Sequence, residues 1–161
     1  MNKDLKKGFT LLEMLLVIAI IAILAGIVIV AINPAKQIAQ ANNAQRRSDV
    51  LAVLNAVHQY GIDQRGVITA LNISSISDAA GTCTTTGDII CIGDTDTDCD
   101  INLADFLASS TSATYISAMP TDPSSTSTVS TGYRIAQDNV TNRLTVCAPL
   151  AENGEEISVT R

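Results

Sequence analysis

The pattern of apolar and polar positions divides the chain into three regimes. From Met14 to Ile32 there is no charge, and almost every residue is Leu, Ile, Val or Ala. Such a run is apolar on all helical faces. It is about the length a helix needs to cross ~30 Å of hydrocarbon at ~1.5 Å per residue. Residues 35–64 switch to an amphipathic helical pattern. Val50, Leu51, Leu54, Val57 and Tyr60 recur at helical spacing, with Ile38, Ala41 and Ala44 continuing the stripe upstream. Asn42, Asn43, Arg46 and Arg47 fall among the polar positions, so one face is expected to pack on a soluble domain and the other to stay solvated. Pro34 has no N–H for the carbonyl of Val30, and Gly26 is a second weak point, so a bend near residues 30–34 is expected within one long helix. Gly66 is the expected stop.

The third regime is loops and strands. Residues 67–82 read as loop with a short helix near Ile73–Ala79, and Leu103 to Ala108 as one or two helical turns. Residues 109–131 are dominated by Ser and Thr, with prolines at 120 and 123, and read as loop. Tyr133–Gln137 and Arg143–Cys147 alternate around the turn residues 138–142, which predicts a hairpin, and Glu156–Thr160 makes a third strand. Ile135, Leu144, Val146, Ile157 and Val159 would cover the amphipathic helix. The expected fold class is therefore α+β: a long N-terminal helix packed against a small antiparallel sheet, with a disulfide-pinned loop region.

Charge and cysteines orient this architecture. Lys3, Lys6 and Lys7 precede the apolar run, so the N-terminus is expected in the cytoplasm and the rest outside. All four cysteines, Cys83, Cys91, Cys99 and Cys147, lie in that outer part, where two disulfides are expected. Three pairings are open; the arrangement favoured is Cys83–Cys91 with Cys99–Cys147. From Val67 onward there are 12 acidic and 3 basic residues, which argues against a nucleic-acid-binding surface. Aromatics make up 3% of the chain with no Trp, so the soluble core must be small and aliphatic.

The apolar run is too long for the core of a secretory signal, and no small-residue cleavage site follows it. The natural processing point lies before it, at Gly8–Phe9. A single carboxylate, Glu13, sits just ahead of the uncharged run, where burial in lipid costs on the order of 2.5–3.5 kcal/mol. Lys7-Gly8-Phe9-Thr10-Leu11-Leu12-Glu13 resembles the prepilin motif of the type IV pilin family; the likeness is close over residues 6–32 and looser to about residue 66. The resemblance implies a leader, 1–8, removed by a membrane peptidase that cuts after Gly8 and N-methylates Phe9. It implies that Glu13 pairs with the freed N-terminal amine of a neighbouring subunit, which offsets the cost of burying both charges. It further implies a hydrophobic membrane and filament-core segment, 9–32, an amphipathic half of the same helix, 33–66, and an extracellular head, 67–161. The function implied is the structural subunit of a pilus, with other copies of itself, the prepilin peptidase and the assembly machinery in the membrane as partners. A pseudopilin of a type II secretion system and a minor pilin of a DNA-uptake filament are the alternatives. The precursor would be a single-pass membrane protein, and the mature form extracellular.

Residues 94–105 resemble a calcium loop of the EF-hand type in its dockerin variant. Asp94, Asp96, Asp98, Asn102 and Asp105 would ligate by side chain and Asp100 by its carbonyl, giving the hard oxygens calcium takes. Cys99 stands where the loop normally has Gly, so an acidic disulfide-pinned surface loop is the competing reading. Nothing else in the chain calls for a cofactor. Asn72-Ile73-Ser74 and Asn139-Val140-Thr141 match the glycosylation sequon, a short pattern that often occurs by chance. His58, the only histidine, has no second ligand at metal spacing and reads as a packing or surface residue. No nucleophile motif, phosphate loop or zinc spacing is present, so catalysis is not expected.

Overall fold

The apolar run forms helix α1, Leu11–Ile32, with every side chain exposed. In this computed structural model, residues 8–92, 99–108 and 115–161 are described. Helix α1 stops because Asn33 turns into the left-handed region at φ 48°, a conformation Asn tolerates better than most residues. Pro34 then opens α2, Pro34–Asp63, at the one helical position where a missing N–H costs nothing. The Asn33 carbonyl accepts from the N–H groups of Lys36 and Gln37 and supports that first turn. The expected bend in one helix is thus a helix boundary, and Gly26 lies inside unbroken α1. The chain divides into two compact units, Met1–Ile38 and Ala39–Arg161.

Within the second unit, the buried face of α2 runs Ala39, Asn43, Arg46, Val50, Val53, Leu54, Val57, Tyr60 and Gly61. This corrects the stripe read upstream from the apolar residues alone, because Ile38 and Leu51 are exposed while Asn43 and Arg46 are fully buried. The reason is chemical. Each of the five guanidinium N–H donors of Arg46 has an acceptor. Nε donates to Asp122 (2.7 Å) and Nη2 to the other oxygen of Asp122 (3.0 Å) and to Ser124 (2.8 Å). Nη1 donates to Asn43 (2.8 Å) and Glu152 (3.1 Å). Asn43 in turn exchanges hydrogen bonds with the main chain of Glu152, giving one at 2.8 Å and taking one at 3.0 Å. A fork-shaped donor set facing a carboxylate is the arrangement in which a buried charge is tolerated. Gly132 makes room for it: at φ +83°, a Cβ there would stand 2.8 Å from Cβ of Asp122.

Lower down α2, the packing is apolar. Val50, Val53, Leu54 and Val57 meet Ile135, Leu144, Val146 and Ile157 in the core. Tyr60 is edge-on to Phe106 and Tyr115, each with ring centroids 5.9 Å away. Tyr133 is buried, and its hydroxyl donates to Asp49 of α2 (2.7 Å).

The sheet has five strands: β1 Ser75–Ile76, β2 Asp88–Cys91, β3 Ser130–Asp138, β4 Leu144–Cys147 and β5 Ser158–Thr160. The order is β1-β3-β4-β5, with β2 also paired to β3. The three C-terminal strands are antiparallel, as their alternation predicts. Two further strands join them: β2 antiparallel and β1 parallel to β3, so the sheet is mixed. The short helix expected near 73–79 lies later, as α3, Ala79–Thr86, capped by Asp78, whose carboxylate accepts from the N–H of Gly81. A last helical turn, α4, spans Ala104–Leu107. At the β3–β4 turn, Asp138 accepts from Val140 and Thr141 N–H and from the Thr141 hydroxyl, which closes the hairpin.

The disulfides are Cys83–Cys147 and Cys91–Cys99, not the favoured arrangement. The register explains this. Helix α3 lies against β3 and β4 and brings Cys83 to the end of β4, with the two Cα atoms 6.2 Å apart. The bridge between Ile90 and Ile101 brings Cys99 back beside Cys91.

Three outcomes are expected. Converting Cys83 and Cys147 together to Ala, which opens a 64-residue span, should cost roughly 4 kcal/mol; the same change at Cys91 and Cys99, 8 residues apart, should cost about 2.5 kcal/mol in urea titrations. Arg46→Ala should cost about 3–5 kcal/mol, because it strands a buried Asp122 carboxylate, whereas replacing Arg46 and Asp122 together by Met and Leu should recover most of that loss. The third outcome is a pH profile. Thr141 N–H and hydroxyl hold Asp138 down at about 2, and Asn42, Ser124 and Arg46 hold Glu152 below the usual carboxylate range. Depressed values give stability that is present above the ordinary carboxylate pKa of about 4 and lost as pH falls towards 2. Burial, and then the bond to Asp49, raises the Tyr133 phenol far above its ordinary value, so that contribution is present below about pH 10 and lost above it. Urea midpoints measured from pH 2 to 11 should show both declines.

Candidate processing and assembly site

The segment Gly8–Thr10 is non-helical and leads directly into α1. Its extended backbone at Thr10 (φ −83°, ψ 150°) lets the hydroxyl accept from the N–H of Glu13 at 3.2 Å, so Thr10 is the N-cap of the spanning helix. The pattern Thr-x-x-Glu signals a capping box, a feature of local sequence that the motif reading passed over. Among the described residues only the threonine half of that box forms, and the Glu13 carboxylate has no hydrogen bond or ion pair. Glu13 is the only charged residue in α1.

A Cβ built at Gly8 meets nothing within 4 Å among the described residues. Phe9 is 75% exposed. Among the described residues nothing covers the backbone at Gly8–Phe9, and the helix begins only after the Thr10 cap. The leader lysines, Lys3, Lys6 and Lys7, lie outside the described residues. Gly26 and Pro34 both lie outside this constellation, the first within α1 and the second at the head of α2.

The acidic loop is a separate region. Asp94, Asp96 and Asp98 lie outside the described residues. Of its remaining members, Asp100 accepts from the N–H of Ile89 (2.8 Å), and Asn102 donates to Asp105 (2.9 Å). Asn102 also accepts from Ala104 N–H at 3.0 Å, which starts α4. The Asp100 carboxylate is therefore used inside the fold. Among the described residues no group of three His, Cys, Asp or Glu is placed to hold a metal ion. The four cysteines are all in disulfides.

Helix α1 is long and apolar enough to cross a membrane, with a mean hydropathy of 3.5 and no buried residue. Together with the leader this fits a membrane-anchored precursor. A family model for the prokaryotic N-terminal methylation motif matches residues 3–29. No curated protein and no solved structure matches the chain significantly. The motif implies processing by a prepilin peptidase and assembly into filaments, and points to a structural protein rather than an enzyme. The chain carries the type IV prepilin leader at the head of its apolar helix, and that motif supports a pilin-like or pseudopilin protein.

Proposed function

We propose that this chain is the structural subunit of a type IV pilus. In this reading the peptidase cuts between Gly8 and Phe9 and methylates the new Phe9 amine, and α1 leaves the membrane to join a filament core. The observation that carries the reading is the combination, within one short segment, of an accessible Gly8–Phe9 bond, an N-capped apolar helix and a lone carboxylate at Glu13. A simple anchor needs neither a cut ahead of itself nor a charge. A carboxylate buried among apolar helices needs a cationic partner, and the amine freed at Phe9 of a neighbouring copy supplies one without adding a side chain. Contacts repeated identically from copy to copy, head to tail, build an open helical assembly. The two disulfides of the second unit support exposure to an oxidising exterior.

The test is intact mass and N-terminal fragmentation of protein sheared from the cell surface. Wild type should begin with methylated Phe9. Gly8→Ala should leave the precursor uncut in the membrane. Glu13→Val should be cut normally yet give no filaments. Precursor that keeps Met1–Gly8 in wild-type cells, or filaments from Glu13→Val at the normal yield, would overturn the reading.

A further inference from the structure

A cleft of about 880 Å³ opens in the second unit between the end of α2, the 66–73 segment and the β3–β4 hairpin. Its size is within the range of small-molecule sites. Val57, Ile68, Ile73 and Leu144 give it apolar walls, while His58 and Arg161 line it as well. Among the described residues no Asp or Glu side chain lines this cleft. Nε2 of His58 is buried and has no hydrogen-bond partner among the described residues. A buried polar atom of this kind costs free energy unless something satisfies it. Arg161 is held in place by two main-chain bonds to Leu144 (2.7 and 2.9 Å) and by one from Nη1 to Asn55 (2.8 Å), which leaves four guanidinium donors. Gly61 belongs to the cleft too: a Cβ there would meet Ile68 Cγ2 at 3.0 Å, so glycine lets the 66–73 segment approach α2 and form the floor.

We propose that this cleft binds a small amphipathic anion, its apolar body against Val57, Ile73 and Leu144 and its carboxylate or sulfonate on Arg161, beside the His58 ring. The chemistry selects the class. Apolar walls reward a hydrocarbon body, and the free guanidinium donors of Arg161, with no Asp or Glu among the described lining residues, reward one negative charge. Burial and then the nearby Arg161 lower the imidazole pKa, so His58 stays neutral at pH 7 and the cationic group of the cleft is Arg161. Arg161 is exposed, so an uncharged ligand of the same shape leaves its guanidinium to water and forgoes the ion pair.

Because His58 is the only histidine, carbon-13 labelling of histidine gives a one-residue reporter inside the cleft. The full chain, without a histidine tag, is placed in nanodiscs of zwitterionic lipid and titrated with 2-naphthoate, and in parallel with uncharged 2-naphthylmethanol. Empty nanodiscs correct for partitioning into lipid. The expected result is a saturable shift of the His58 imidazole signals by 2-naphthoate with Kd below about 1 mM. Arg161→Gln should weaken binding about tenfold, the loss expected for a charge-assisted hydrogen bond. Thr69→Trp, which fills the cleft from its exposed rim, should abolish the shift and carries the test if Arg161→Gln unfolds. Absence of a saturable shift, equal responses to the acid and the alcohol, or undiminished binding in both variants would overturn the proposal. So would a His58 shift that follows protein concentration without probe, because a second copy would then be covering the cleft.

Discussion

A guanidinium with no solvent around it must have every donor met, and in this protein that requirement ties the second unit together. Arg46 lies on the buried face of α2 and reaches Asp122 and Ser124 from one loop and Glu152 from another. Neither loop has a strand of its own at that point, so the ion pair and its surrounding amides hold them where a longer sheet would otherwise be needed. The cost of desolvating both charges is large, and good bidentate geometry with full satisfaction is what offsets it. Such a network also has direction. A hydrophobic contact tolerates sliding, whereas a fork of five donors meets its acceptors in one register of α2 only.

The rest of the unit follows from having little apolar material. One Phe, three Tyr and no Trp leave its core to aliphatic side chains and a few aromatic edges. Two disulfides compensate by narrowing the unfolded ensemble. Cys83–Cys147 fastens α3 to β4, across the sheet's own register, and Cys91–Cys99 closes a short excursion at the end of β2. Polar side chains finish the turns: Asp138 organises the hairpin and Arg134 caps the end of α3 through the carbonyls of Thr85 and Gly87.

Helix α1 follows a different rule. It is apolar all round, so it is matched to lipid or to other helices and to neither in particular. Specificity is concentrated at its first turn, where Thr10 caps the helix and Glu13 adds the only charge. The two units therefore solve opposite problems, one by burying polar groups in a fixed network, the other by exposing almost none.

The linear sequence determined what local pattern and composition can determine. The spanning helix, the amphipathic switch after it, the C-terminal hairpin and the prepilin leader are all properties of contiguous residues, set by periodicity, by missing N–H groups and by motif spacing. Thr10 as a cap was legible too, through its Glu three residues on. What only the tertiary structure decided involves partners far apart in the chain. Arg46 and Asn43 read as solvated until Asp122 and Glu152, more than seventy residues away, are seen beside them. Strands β1 and β2 are too short to announce themselves and exist because β3 offers them an edge. Cysteine pairing follows from the packing of α3 on β4, a fact that no spacing encodes. Periodicity reports which side chains avoid water, whereas only the fold reports which charges have found each other.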